Sequence, residues 1–159
     1  EARGIDGLIC IGGDGTYRGA KSLCEFGIKC IGIPGTIDND IASTELTIGF
    51  STALNTAVEA IDKLRDTSSS HQRCSIIEVM GRHAGYIALW SGIAGGADEI
   101  IMPEKPEDYN IDRIVETVLN NKKIGKAHTM IVLAEGIGNI DELANAIQEK
   151  TGIETIKAV

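Results

Sequence analysis

Seven consecutive residues, Pro34-Gly35-Thr36-Ile37-Asp38-Asn39-Asp40, crowd two carboxylates, a hydroxyl and an amide directly behind the short apolar run Cys30-Ile31-Gly32-Ile33. Two carboxylates at i and i+2 can divide the work of phosphoryl transfer to an alcohol. One accepts the hydroxyl proton and the other stands near a metal. Polar groups at the exit of a parallel strand lie where open α/β sheets bind ligands. The same residue types also build surface turns for purely conformational reasons, so the stretch by itself admits both readings. A second cluster, Gly12-Gly13-Asp14-Gly15-Thr16, follows the apolar run from Gly7 to Ile11. Glycines let the backbone approach a phosphate closely, and a helix start adds partial positive charge. A bare Asp among phosphates would repel them, so Asp14 suits a Mg²⁺ bridge. The cluster lacks the Gly-Lys-Ser/Thr of a Walker A loop. A tight turn with an N-capping Asp is its structural alternative.

Strands and helices must hold these clusters. Gly7 to Ile11 reads as a buried parallel strand and Asp14 to Phe26 as a helix, with Gly27 suited to cap it. The Cys30 run makes the next strand, a βαβ order that implies a parallel sheet. Thr44 to Phe50 alternates weakly, as a hairpin or loop would. Ala53, Leu54, Ala57, Val58, Ile61 and Leu64 mark a helix over 52–65, which Thr67-Ser68-Ser69-Ser70 would end or fray. Cys74 to Met80 is a strand, and Gly85 to Ile93 a helix apolar all round and hence buried. Gly95-Gly96 closes that helix before a strand over 99–102. A helix over 108–119, a strand over 128–134, a helix over 140–150 capped by Asn139 and Glu142, and a strand from Ile153 complete the order. The fold class is α/β, with parallel sheets flanked by helices. The expected division is 1–50, a bridging helix 51–71, and 72–159.

Hydrophobic residues make up 43% of the 159, which argues for a packed core and against disorder. A net charge of −8 argues against general binding to nucleic acid or an anionic membrane. An anionic ligand would therefore need local cations, and these occur between Lys63 and Arg82. Cys10, Cys24, Cys30 and Cys74 form no Cys-x-x-Cys pair, so a disulfide framework or zinc site is not expected and a reducing cytoplasm fits. No signal peptide or membrane-length apolar run is visible.

The four ordered motifs GGDGT at Gly12, PGTIDND at Pro34, SSSHQR at Ser68 and MGR at Met80 closely resemble bacterial ATP-dependent 6-phosphofructokinase, over essentially the whole chain. The resemblance implies parts of the two Rossmann-like halves of that fold. It implies MgATP and fructose 6-phosphate as substrates, with transfer to the sugar 1-hydroxyl. Gly13, Asp14, Gly15 and Thr16 would contact ATP phosphates, with Asp14 serving Mg²⁺. Asp38 would be the general base, Thr36 would align the transferred phosphate, and Asp40 would organise metal-bound water. Ile37 joins them in the substrate set. The pyrophosphate-using branch typically has Asp where this chain has Gly15 and Lys where it has Gly35, which favours ATP. Arg73 would reach a neighbouring subunit's fructose 6-phosphate in a homotetramer. Met80, Gly81 and Arg82 would line the sugar site of their own subunit, and Glu135 would meet sugar hydroxyls. Forked guanidinium hydrogen bonds suit both arginines to phosphate.

The resemblance also implies an effector site for ADP or phosphoenolpyruvate at Arg65, Gly96, Ala97, Asp98, Lys126 and His128. Asp98 stands where Glu is common, and Ile124 where a basic residue is expected. His71, His83 and His128 read as positional, structural or surface groups, not catalysts. The family's first strand with its glycine-rich turn, and a later HIQRGG-like segment, are absent. The expectation is a central fragment with little activity alone and unpaired sheet edges. Two alternatives stand beside the kinase. One is a non-catalytic regulatory or binding subunit on this fold, which should have lost Asp14 or Asp38. The other is a nicotinamide-nucleotide or diacylglycerol kinase, which shares GGDGT but lacks the later motifs.

Overall fold

The computed structural model describes residues 4–159, so the first three positions of the expected 1–50 segment lie outside the described residues. Internal contacts divide the chain into two units, one ending at Ser51 and one beginning at Thr52.

In the first unit, β1 (Leu8–Gly12), α1 (Asp14–Glu25) and β2 (Cys30–Pro34) form a βαβ unit. The strands are parallel, with Leu8 opposite Cys30 and Gly12 opposite Pro34. Gly27, at φ +83°, ends α1 by donating its N–H to the Cys24 carbonyl at 2.9 Å. That left-handed geometry carries no Cβ penalty for glycine. One expectation fails here: β1 is not buried. Ile9 and Ile11 are 67% and 65% exposed, and Ile31 opposite Ile9 is 68% exposed. The helix packs on one face of the two strands, and these isoleucines occupy the other. The segment between β2 and the next helix, including 44–49, is loop and not hairpin.

The next helix, α2 (Phe50–His71), starts at the division between the units. The second unit continues with β3 (Cys74–Val79), α3 (Tyr86–Gly95), β4 (Glu99–Ile101), a 3-10 turn (Pro106–Asp108), α4 (Ile111–Lys123), β5 (Thr129–Ala134), α5 (Ile140–Thr151) and β6 (Thr155–Ala158). Its sheet is parallel throughout, in the order β4-β5-β3-β6. After Thr129, β5 reads as a continuous apolar run, and β3 is apolar but for Ser75 and Glu78, as strands covered on both faces largely are. Ile76, Ile131 and Leu133 meet Ile114 and Val118 of α4 and Leu143 and Ile147 of α5, all with no exposed surface. Each such side chain contributes about 1.5–3 kcal/mol by leaving water.

Three helix expectations are corrected. The serine run does not end α2. Thr67 and Ser70 return their hydroxyls to the Lys63 and Asp66 carbonyls one turn earlier, and buried Ser68 bonds buried Ser75 of β3. These contacts satisfy the hydroxyls that would otherwise compete with the helix backbone. The helix α3 is buried on one side only, through Ile87, Ala88, Ser91, Gly92 and Gly95, while Trp90 and Ile93 are 52% and 59% exposed. Composition gives no amphipathic pattern there, so it cannot show which side is covered. Finally, α4 begins at Ile111, because Asn110 caps it by accepting the Arg113 N–H at 3.0 Å, and Asp108 closes the 3-10 turn. At α5, Asn139 Oδ1 accepts the N–H groups of Asp141 and Glu142. The Asn139 N–H goes to the Tyr109 hydroxyl at 3.1 Å, which takes the place of the reciprocal capping-box bond.

Candidate functional site

Parallel pairing of β1 and β2 sets Gly12 opposite Pro34, so the two motif-bearing turns leave the same end of the same small sheet. The Gly35 N–H donates to the Gly12 carbonyl at 3.1 Å. A Cβ on Gly13 would lie 3.2 Å from Thr36 Cβ, so the first turn and the threonine of the second are in contact distance. A Cβ on Gly15 would meet nothing within 4 Å, leaving open space beside that turn. Asp14 begins α1, where a carboxylate complements the positive helix end, and it pairs with Arg18 one turn on at 2.7 Å. Thr36 Oγ1 accepts the Asp38 N–H at 3.2 Å. Asp38 is half-buried and Asp40 exposed, and Ile37 sits between Thr36 and Asp38 with its side chain near Gly49. The structure thus brings Gly13, Asp14, Gly15, Thr16, Thr36, Ile37, Asp38 and Asp40 onto one sheet end.

The second unit carries the other candidates. Met80-Gly81-Arg82 leaves the end of β3, and Gly81 and Arg82 have φ of +148° and +58°. An arginine in that left-handed region is uncommon, and surrounding bonds must hold it there. Glu135, just past the paired end of β5, supplies them: its Oε1 accepts the N–H groups of Gly81 at 3.1 Å and Arg82 at 2.5 Å. One oxygen of the expected sugar ligand is therefore committed to the backbone. At the far end of this turn, Glu104 accepts the Gly85 N–H at 2.8 Å. Glu104 has no signal in sequence, because its partner lies nineteen positions earlier. Arg73 stands at the opposite end of β3, before Cys74, so it is not beside Arg82 within this unit. Its Nε is 2.8 Å from Glu154 Oε2, an ion pair lacking hydrogen-bond alignment.

The phosphofructokinase family profile matches residues 1–159. The chain belongs to the phosphofructokinase family. It is 56% identical over 155 residues to the ATP-dependent 6-phosphofructokinase of Clostridium botulinum, covering 98% of this chain and 48% of that protein. It is 57% identical over 152 residues to the enzyme of the same name from Bacillus licheniformis, covering 96% and 47%. The chain thus spans about half the length of the curated relatives it matches. Among solved structures, Saccharomyces cerevisiae phosphofructokinase superposes with a TM-score of 0.85 at 32% identity, covering 99% of this chain and 25% of that one. The pyrophosphate-dependent phosphofructokinase of Marinobacter aquaeolei gives 0.80 at 27%, covering 99% and 45%.

The remaining candidates in this phosphofructokinase-family chain form one cationic cluster around Asp98. Gly96 ends α3 in left-handed backbone, and Ala97 returns its N–H to Gly92 at 2.8 Å, which delivers Asp98 to the start of β4. Asp98 accepts from Lys126 Nζ at 2.5 Å, Asn121 Nδ2 at 2.9 Å and the Met130 N–H at 2.9 Å. The Asn121 contact has no signal in sequence, since that side chain comes from the last turn of α4, 23 positions from Asp98. Burial holds the His128 imidazole below its usual pKa; Lys126 adds to this, Asp98 opposes it and Arg65 adds further. Arg65 pairs with Asp62 at 2.5 Å, yet its Nε and His128 Nδ1 are buried without hydrogen-bond partners. Arg73, Lys122, Lys126 and His128 line a cavity of about 190 Å³. Ile124 is 78% exposed and brings no charge to the cluster.

Among the described residues, no group of three or more His, Cys, Asp or Glu could hold a metal. Asp14 alone nevertheless fits Mg²⁺ that arrives on a nucleotide, because such Mg²⁺ keeps waters and phosphate oxygens and takes one or two carboxylates. No helix among the described residues is long and apolar enough to cross a membrane.

Proposed function

We propose that, in a polypeptide of the relatives' length, this segment takes part in transferring the terminal phosphoryl group of MgATP to the 1-hydroxyl of fructose 6-phosphate. The observation that carries this reading is the Gly12–Pro34 register, which places a phosphate-type glycine turn beside a carboxylate pair. Asp38 takes the proton from the attacking hydroxyl, while Thr36 and the N–H groups of the glycine turn orient the phosphate chain. Asp14, with Asp40 ordering water nearby, would hold Mg²⁺, which would supply charge neutralisation. Arg82 and, across a subunit interface, Arg73 hold the sugar's phosphate, and the second oxygen of Glu135 remains for a sugar hydroxyl. Open space at Gly15 leaves room for a nucleotide where an Asp side chain would intrude. ATP is therefore the donor, and not pyrophosphate.

The Asp98 cluster is an anion-binding effector site for ADP or phosphoenolpyruvate. Its cations and two unpartnered nitrogens supply a local attraction for an anion on a chain of net charge −8. Homotetramer assembly and a cytoplasmic location complete the proposal, and the four free thiols fit a reducing compartment. A coupled assay of fructose 6-phosphate turnover by a polypeptide of the relatives' length tests the central claim. ATP should support turnover and pyrophosphate should not. Preference for pyrophosphate would overturn the donor assignment, and no turnover with either would overturn the function.

A further inference from the structure

Within Pro34–Asp40 the proposed chemistry gives Asn39 no task, although it stands between the two carboxylates. Its backbone is left-handed, at φ +55°. Asn tolerates that region better than other residues with a Cβ, because its short amide bonds locally. Both ends of that amide are in use. Its Oδ1 accepts the Thr47 N–H at 2.9 Å and the Thr47 hydroxyl at 3.3 Å, and its Nδ2 donates to the Glu45 carbonyl at 3.3 Å. Thr47 is buried, at 4% exposure, so the amide is tied to a fixed point. The next residue closes the loop, because the Ile48 N–H donates to the Pro34 carbonyl at 2.7 Å. The loop 39–48 is thus pinned at the first and at the sixth residue of the motif.

We propose that Asn39 is a positioning residue that fixes the direction of the flanking Asp38 and Asp40 by clasping the 45–47 loop through its amide. Asn39 need touch neither substrate. A left-handed residue reverses the chain between its neighbours, so the clasp sets how the two carboxylates diverge. Loss of the clasp frees the peptide planes on either side of Asn39 and lets the Asp38 carboxylate leave its line to the hydroxyl. Misplacement by about 1 Å costs on the order of 10²-fold in rate.

This inference rests on Asp38 being the base, so both are tested in one polypeptide of the relatives' length. Asn39→Gly keeps the left-handed backbone and removes the clasp. It should lower kcat roughly 10- to 100-fold while leaving the Michaelis constants for ATP and fructose 6-phosphate within about twofold. Asn39→Asp keeps the oxygen that serves Thr47 and should lose less than Asn39→Gly. Thr47→Val, which keeps the backbone donor, should lose least. A kcat for Asn39→Gly within twofold of the parent, while Asp38→Ala is inactive, overturns the positioning role and leaves the base assignment standing. Near-parental activity of Asp38→Ala overturns the base assignment itself. Should Asn39→Gly fail to fold, Asn39→Asp and Thr47→Val carry the same test, and unchanged kcat in both overturns the inference.

Discussion

The two units support their functional residues in opposite ways. In the first, no residue of α1 is buried, and one face of the β1–β2 pair shows Ile9, Ile11 and Ile31 to solvent. The proposed chemistry nevertheless sits there, in turns held by one backbone bond across the strand pair, Gly35 to Gly12, and by bonds within the loop, Asp38 to Thr36 and Asn39 to Thr47. The second unit buries a continuous core and holds its turns with side chains from distant elements, Glu135 and Glu104 on the 81–85 segment and Lys126 on Asp98. Placement of such turns does not require a large core beneath them. It requires that each backbone donor nearby have a fixed partner.

The largest effect should come from the thinly packed side. In a polypeptide of the relatives' length, Asp38→Ala should lower kcat by at least ~10²–10⁴, the range of general-base catalysis. A loss under tenfold in steady-state kinetics would show that the exposed unit does not carry the chemistry. The core contrast is tested by truncation. Ile131→Ala, at a fully buried position, should destabilise the second unit by about 2–5 kcal/mol. Ile9→Ala, at 67% exposure, should cost this chain less than about 1 kcal/mol. Urea unfolding measures both, followed by circular dichroism for the first unit and also by Trp90 fluorescence for the second. Equal costs would break the comparison. A cost for Ile9→Ala that appears only in the longer polypeptide would sharpen it, by showing that the apolar face is covered there.

Much of this was legible in the residues. The order of strands and helices follows from apolar runs and helical spacing, and the ends set by Gly27, Gly96 and Asn139 follow from capping chemistry. The Gly12 and Pro34 motifs announce their own pairing, because each trails an apolar strand. What could not be read is tertiary in origin. Nothing in Ile9 or Ile31 says which face of a two-stranded sheet will lack a partner. The serine run at the end of α2 looks like a helix stop until Ser75 arrives from β3 to meet Ser68. The commitment of Glu135 to Gly81 and Arg82 spans more than fifty residues, beyond any local pattern.

The next effect is at Arg82, where the second unit holds a strained residue in place. In a polypeptide of the relatives' length, Arg82→Ala should raise the Michaelis constant for fructose 6-phosphate by roughly 10- to 100-fold, the loss of a charged hydrogen-bonded contact, with little change for ATP. Glu104→Ala should shift the same constant by less, since the Glu135 clamp on Gly81 and Arg82 persists. An effect on ATP alone would mean that Arg82 does not hold the sugar's phosphate as proposed.

The smallest effect concerns acid, and it too should fall on one unit. All three histidines, His71, His83 and His128, lie beyond Ser51, so the first unit has no side chain of unperturbed pKa near neutrality to protonate. For His128 the folded pKa is held below the ordinary 6.5, first by burial and then by Lys126. As pH falls through 6.5, the unfolded chain therefore takes up its proton before the folded chain does. Stability is full above that pH, declines as pH drops toward the folded pKa, and levels off below it. Urea midpoints read by Trp90, in α3 of the second unit, should show this shallow decline, and His128→Gln should remove part of it. Inorganic phosphate at the neighbouring Arg65 and Lys126 would stabilise the charged imidazole and should reduce the decline. An unchanged slope in His128→Gln would place the acid sensitivity elsewhere, and a slope insensitive to phosphate would count against an anion site at the Asp98 cluster.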